Sequence, residues 1–319
     1  MREAIARLVP DGASVVMGTA LESLIPFAAG HELIRQRRRD LTLVGPISDM
    51  LFDQLIGAGC VARVIAAWVG NVSAGLGHNY RRAVEQGVPR PLTVEDHSNY
   101  TMALALLAGA HGVPFMPTRS VLGSNLPDSN PALQIERSPV PLWPPQPSNN
   151  GGSWGEEAGR GEHVPLVLVP ALEPDVAILQ VQRADADGNA HAWGNLGVTR
   201  EAGLASRRVI LVAEEIVPRE VILSDPNRVL LPGFRVDAVV HEPFGAHPSP
   251  VQGYYGRDNA YFDEYHAQTR TPEGFVAWLA EWVEGVPDRA GYLARLGAAR
   301  REALLPREHR YAAPVDYGY

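Results

Sequence analysis

The 319 residues are 45% hydrophobic and 20% charged, a composition that supports one large buried core or two modest ones. Thirty-six acidic against 28 basic residues give a formal charge of -8, and the one basic run, Arg37-Arg38-Arg39, ends a helical pattern, so nucleic acid is not an expected partner. Every one of those 28 is arginine, and the absence of lysine excludes a Schiff-base nucleophile, a pyridoxal phosphate anchor and a Walker phosphate loop.

From the amino terminus, short β-branched runs alternate with helical patterns. Strands are expected at Ala13 to Val16, Leu41 to Val44, Arg63 to Trp68 and Pro91 to Val94, then at Val164 to Val169, Val176 to Val181, Arg208 to Val212 and Val236 to Val240. Helices are expected near Pro26 to Arg38, Asp49 to Ile56, Asn79 to Gln86, Asn99 to Ala110 and Thr199 to Ala205. This alternation implies an α/β fold, an open, mostly parallel sheet with helices on both faces.

The single cysteine, Cys60, sits among apolar residues, which excludes an intrachain disulfide framework and a thiolate cluster. The longest apolar run, Ala103 to Ala110, is too short to cross a bilayer, and no basic segment followed by an apolar run opens the chain. A cytoplasmic location is the expectation. Ser138 to His163, with five prolines and then a glycine-rich stretch, breaks the rhythm and reads as a surface insertion within one domain spanning 1–319. Beyond Thr271, Phe275, Trp278, Leu279 and Trp282 recur at helical spacing, followed by Tyr292, Leu293 and Leu296, and predict a C-terminal helical layer packed into the core.

Several catalytic motifs fail on single residues. Gly75-Leu76-Gly77 begins like a dinucleotide loop, but Tyr80 stands where the third glycine is needed. His31-Glu32 begins like a zinc-protease helix, but Arg35 occupies the second ligand position. No Gly-x-Ser-x-Gly elbow is present. His241 and His247 lack a third ligand at useful spacing, so no metal is expected.

Four segments remain. The first is Asp40-Leu41-Thr42-Leu43-Val44-Gly45-Pro46 with Asp49-Met50-Leu51. The second is Gly70-Asn71-Val72-Ser73-Ala74-Gly75-Leu76-Gly77, a strand-to-helix loop whose backbone N–H groups either receive an anion or merely make the turn. The third joins Val94-Glu95-Asp96-His97-Ser98-Asn99-Tyr100 to Val113-Pro114-Phe115-Met116-Pro117-Thr118-Arg119 and Leu122-Gly123-Ser124. In it Ser98 either caps a helix or touches a ligand, and Arg119 either clamps a carboxylate or makes a structural ion pair. The fourth, and the most specific, is Pro232-Gly233-Phe234-Arg235-Val236-Asp237, then Pro243-Phe244-Gly245-Ala246-His247-Pro248-Ser249 and Asp258-Asn259.

Together, in order and spacing, these segments resemble the α subunit of glutaconate-type, family I coenzyme A transferases over nearly the whole chain. The resemblance implies ping-pong catalysis in which a glutamate attacks an acyl-CoA thioester and then carries coenzyme A as a glutamyl thioester. In two-subunit members that glutamate lies on the β chain, and no segment here resembles its surroundings. No catalytic nucleophile is therefore expected in this chain. The implied partners are a β subunit within a higher-order α/β oligomer, and an acyl-CoA and a carboxylate as substrates, with no permanently bound cofactor and no membrane. The residues expected to line the shared pocket are Asn71, Ser73, Ser98, Asn99, Arg119, Gly123, Ser124 and His247. Some relatives are ring-opening acyl-CoA hydrolases with a catalytic glutamate in the third segment, a position held here by Asn99 unless Glu95 takes its place in a shifted register. A non-enzymatic metabolite sensor is a further alternative, although the N-terminus offers no helix-turn-helix, as is a sugar-phosphate isomerase on a related fold, which would need its own base and phosphate cradle in one chain.

Overall fold

The computed structural model describes residues 1–141 and 163–306, so most of the Pro/Gly-rich insertion lies outside the described residues. Thirteen strands are formed among the described residues: β1 (Ser14–Val16), β2 (Leu41–Ile47), β3 (Val61–Trp68), β4 (Gly70–Asn71), β5 (Gly75–Leu76), β6 (Thr93–Asp96), β7 (Phe115–Thr118), β8 (Gln134–Arg137), β9 (Pro165–Pro170), β10 (Val176–Ala184), β11 (Ala190–His191), β12 (Arg208–Ile216) and β13 (Ala238–His241).

Seven of them form a parallel sheet in the order β13-β12-β10-β1-β2-β3-β6, with β11 turning back antiparallel on the end of β10. The chain builds outward from β1 to β6, then crosses back to lay β10 against the free side of β1. This reversal is the switch point at which a doubly wound sheet opens a crevice beyond the carboxyl ends of its strands.

Side-chain alternation explains why both faces are covered. On β10, Val176 and Ile178 enter one core while Ala177, Leu179 and Val181 enter the other. The first core also takes the helices Phe27–Arg35, Met50–Gly57 and Asn259–Gln268 and the expected C-terminal layer, where Trp278, Tyr292 and Phe275 are buried. The second takes Met102 and Leu106 of helix Asn99–His111 and Ala202 and Ala205 of helix Thr199–Ala205.

One expected strand goes elsewhere. Val164 to Val169 does not join the parallel sheet; β9 is the centre of a separate antiparallel sheet, β7-β9-β8, packed on helix Asn99–His111. Of β9 only Val167 and Val169 are buried, while the alternating Leu166 and Leu168 are half-buried, the pattern of a strand covered on one face.

Candidate functional site

The carboxyl ends of β3 and β6 are neighbours in the sheet, paired through Ala66 and Asp96. The segments that follow them carry Asn71, Ser73, Ser98 and Asn99, half of the sequence-predicted residues. After β3 the chain makes the small β4-β5 hairpin, whose tip from Ser73 to Leu76 is exposed, before helix His78–Gln86 begins.

That tip is anchored from below. Asn71 is buried, donates through Nδ2 to the Phe262 carbonyl at 2.7 Å and accepts from the Ser73 N–H at 3.1 Å. Ser73 Oγ accepts from Arg257 Nη1 at 2.7 Å. Arg257 pairs with Asp49 at 2.9 Å, with neither side chain reaching solvent, and its guanidinium lies 3.5 Å from the centre of the Phe262 ring. Asp49 sits at φ +45°, a left-handed conformation rare for a side-chain-bearing residue, and so turns its carboxylate inward, where it also accepts from the Val72 N–H at 3.1 Å. Burial pushes the Asp49 carboxyl up to about 6, against the pull of Arg257.

After β6, Ser98 caps helix Asn99–His111: its Oγ accepts from the Thr101 N–H at 3.0 Å and the Thr101 hydroxyl accepts from the Ser98 N–H at 2.9 Å. Asn99 and Tyr100 stand exposed on the first turn. Asn130 Nδ2 donates to the Asp96 carbonyl at 2.8 Å and so ties the segment beyond Ser124 to this edge. Arg119, Gly123 and Ser124 are exposed there; Ser124 Oγ bonds the Val121 carbonyl at 2.7 Å, and Arg119 makes no ion pair or hydrogen bond among the described residues. Glu95 is engaged. It bonds Arg63 and, at 3.1 Å, His97, and the hydrogen bond from His97, with Arg63 beside it, holds its carboxyl below the usual range.

His247 is placed differently. It has no exposure; its Nε2 pairs with Asp258 Oδ2 at 3.0 Å and its Nδ1 with the Tyr292 hydroxyl at 2.8 Å. Burial lowers the ring to about 4, so it is neutral, with Nε2–H donating to Asp258 and Nδ1 accepting from Tyr292. Burial opposes ionisation of Asp258, but hydrogen bonds from His247 and from Arg300, at 2.6 and 2.9 Å, outweigh it and hold the carboxyl well below its ordinary value. The structure therefore holds Asn71 and Ser73 in one loop and Ser98 and Asn99 at the end of β6, with Arg119, Gly123 and Ser124 in the segment after β7 that leads to Asn130, while His247 belongs to a closed polar core.

The sequence reading missed Glu214. Along one face of β10 and β12, apolar Ile178 and Val212 give way toward the carboxyl end to Gln180, Gln182 and Glu214. Glu214 accepts from Gln180 at 2.7 Å, from the Tyr255 hydroxyl at 2.5 Å and from the Phe244 N–H at 2.6 Å. Burial pushes its carboxyl up to about 7 despite these donors. The available signal was a carboxylate two residues after the strand run Arg208 to Val212, at the carboxyl end of a buried parallel strand.

A doubly wound parallel sheet whose carboxyl edge carries an anchored glycine loop, a capped helix start and buried carboxyls with raised proton affinity defines an α/β protein of the class in which small molecules bind at that edge. The chain belongs to the coenzyme A transferase family, whose profile matches residues 1–242. It is 38% identical over 300 residues to the A-type subunit of 3-oxoadipate CoA-transferase from Pseudomonas knackmussii, covering 94% of this chain and 98% of the relative. It is 34% identical over 301 residues to the A-type subunit of glutaconate CoA-transferase from Acidaminococcus fermentans, covering 94% and 92%. The crystal structure of glutaconate coenzyme A-transferase from A. fermentans superposes with a TM-score of 0.81 at 31% identity, covering 96% of this chain and 94% of that one. The α/β fold and the family read from the four segments are borne out. Among the described residues no helix is long and apolar enough to cross a membrane, and no group of three or more His, Cys, Asp or Glu is placed to hold a metal ion.

Proposed function

We propose that this chain is the α subunit of a coenzyme A transferase that moves coenzyme A between an acyl-CoA and a carboxylic acid, with the nucleophilic glutamate supplied by a β subunit. The end-to-end match to one chain of a two-chain transferase carries this reading. The state of the carboxylates at the ends of β2, β6 and β12 supports it. Asp49 is committed to Arg257, Glu95 to Arg63 and His97, and Glu214 to Gln180, Tyr255 and Phe244. Asp96 is exposed, and an acyl anhydride formed there would meet bulk water.

In the proposed cycle the partner's carboxylate attacks the thioester carbonyl, the C–S bond breaks, and an acyl anhydride and a CoA thiolate result. The thiolate then attacks the glutamyl carbonyl of the anhydride, releasing the acid and leaving a glutamyl-CoA thioester; an acceptor carboxylate reverses both steps. This chain contributes positioning. The exposed Ser73–Leu76 tip stands against the acyl-CoA, and Asn99, Gly123 and Ser124 line the acyl side with the Ser98 turn beneath them. Arg119, the exposed cation of that rim, grips the substrate carboxylate. Asn99 supplies no base where the ring-opening hydrolases carry glutamate, and Glu95 is engaged by Arg63 and His97, which lower its carboxyl and make it a weaker base; both favour transfer over hydrolysis.

The test is to purify the chain alone and with the product of a neighbouring β-type gene, then to measure exchange of coenzyme A between acyl-CoAs and free acids. Activity from the mixture, absent from either chain alone, with a hydroxylamine-sensitive thioester on the partner, is the expected result. Full activity from this chain alone refutes the shared site.

A further inference from the structure

The glycine tip has little structure of its own. Its hairpin pairs only Gly70–Asn71 with Gly75–Leu76, a ladder too short to hold a fixed shape in water. Gly75, at φ +110°, has nothing within 4 Å of the place a Cβ would take, and Ser73 to Leu76 are exposed. The tip is therefore placed by what grips its base.

One guanidinium does much of the gripping. Arg257 Nη1 donates to Ser73 Oγ and to Asn259 Oδ1, each at 2.7 Å, and Nη2 donates to Asp49 Oδ2 at 2.9 Å. Asp49 takes the Val72 N–H on its other oxygen, and Asn71 is held by the Phe262 carbonyl, on the helix that Asn259 begins. Arg257 thus ties together the turn after β2, the tip after β3 and helix Asn259–Gln268. The planar fork of an arginine can bridge these partners at once, whereas the single ammonium of a lysine cannot.

Stability alone does not account for the arrangement. A fully desolvated ion pair adds little over apolar side chains of the same volume, and Asp49 is held besides in a left-handed conformation that costs free energy. Both costs fall on the two residues that grip the tip. We propose that Arg257 is a positioning residue of the transferase: its buried side chain touches no substrate, and through Ser73 it fixes where the tip stands against acyl-CoA. The proposal rests on the transferase reading.

A double-mutant cycle between Arg257→Lys and Ser73→Ala tests it, read by kinetics of the α/β enzyme and by hydrogen exchange of the Val72, Ser73 and Ala74 amides, each of which is hydrogen-bonded. Arg257→Lys keeps a cation opposite Asp49 but loses the bridge to Ser73. Each single variant is expected to speed exchange of these amides about tenfold, with the amides of β2 and β3 unchanged, and to lower kcat/KM for acyl-CoA about tenfold. The double variant is expected to fall no further than Arg257→Lys, because Ser73 acts through the guanidinium. Ser73→Thr, which keeps the hydroxyl, is expected to restore both readings. Losses that multiply in the double variant make Ser73 a substrate contact and overturn the proposal, as does faster exchange with kcat/KM unchanged. Should Arg257→Lys fail to fold, Ser73→Ala and Ser73→Thr decide the matter: activity lost from the Ala variant without faster tip exchange overturns it. Wild-type chains that together exchange no coenzyme A refute the transferase reading and take the proposal with it, whereas failure of the cycle leaves that reading standing.

Discussion

Two polar regions meet at the carboxyl edge of the sheet and are built on opposite rules. Around Arg257, Asp258 and His247, charged and aromatic side chains are closed off from water, and each is held by several partners. Around Ser98 to Tyr100 and Arg119 to Ser124, polar groups stand in solvent, and their bonds run mainly to nearby backbone. The buried region sets where the loops stand, and the open rim is left available to meet other molecules. Substitution in the first should therefore cost folding free energy, and substitution in the second should cost binding.

The largest effect belongs to the buried pair. Arg257→Met strips buried Asp49 of its cation, so that its carboxyl, already pushed up to about 6, rises further and stays buried without its main partner, and stability should fall by about 3–5 kcal/mol, measured by urea unfolding. The double variant Arg257→Met with Asp49→Asn should recover part of that loss, since no unpaired charge then remains. A loss below about 1 kcal/mol for the single variant would place the pair in water and erase the contrast between the two regions.

Next comes Glu214. Its folded-state pKa, about 7, lies above the ordinary value of 4.5, so its contribution is fully present below about pH 4.5 and is lost as pH rises through 7. His247 acts in the other direction. With a folded value of about 4 against 6.5, its contribution is present above pH 6.5 and is lost as pH falls toward 4. Glu214→Gln removes the first dependence alone. Relative to this variant, the wild type should lose about 2–3 kcal/mol between pH 4.5 and 7.5, followed by unfolding at stepped pH. Parallel profiles would mean that Glu214 titrates as it does in water.

Arg119 samples the rim. Arg119→Ala should leave stability within about 0.5 kcal/mol of wild type. In the assembled α/β enzyme it should lower kcat/KM by about tenfold or more, mostly through KM, as expected for loss of a carboxylate clamp made before the chemical step. Unchanged kinetics would remove Arg119 from the pocket.

What was legible in the sequence follows the same division. The parallel strands and the C-terminal aromatic layer were readable because both are set by local periodicity: β-branched runs between helices, and Phe275, Trp278 and Trp282 at helical spacing. The satellite sheet was not, because β9 matches a buried parallel strand in composition, and its partners β7 and β8 are short and largely exposed. His247 was read as a pocket residue because its segment is the most distinctive in the chain. The structure gives that distinctiveness a packing cause, since Asp258, Tyr292 and Arg300 surround or support the ring from positions 11 to 53 residues away. Arg257 and Glu214 escaped notice for a related reason. Their partners Asp49, Ser73, Gln180 and Tyr255 lie on other elements, and only the fold brings them together.

Ser98 gives the smallest effect and the finest test, because it sits on the rim yet works as a cap. Its hydroxyl accepts from the Thr101 N–H, and its own N–H is taken by the Thr101 side chain. Ser98→Ala should cost about 1 kcal/mol of stability, the ordinary value of a lost N-cap, and fray the helix start that carries Asn99. Ser98→Asp or Ser98→Thr keeps an acceptor for the Thr101 N–H and should restore stability. If the cap is its whole duty, transferase kinetics of the Thr variant will match wild type and those of the Ala variant will fall less than about threefold. A stable Thr variant with much weakened KM would instead make the Ser98 hydroxyl a substrate contact, and would move the border between the two regions one residue inward.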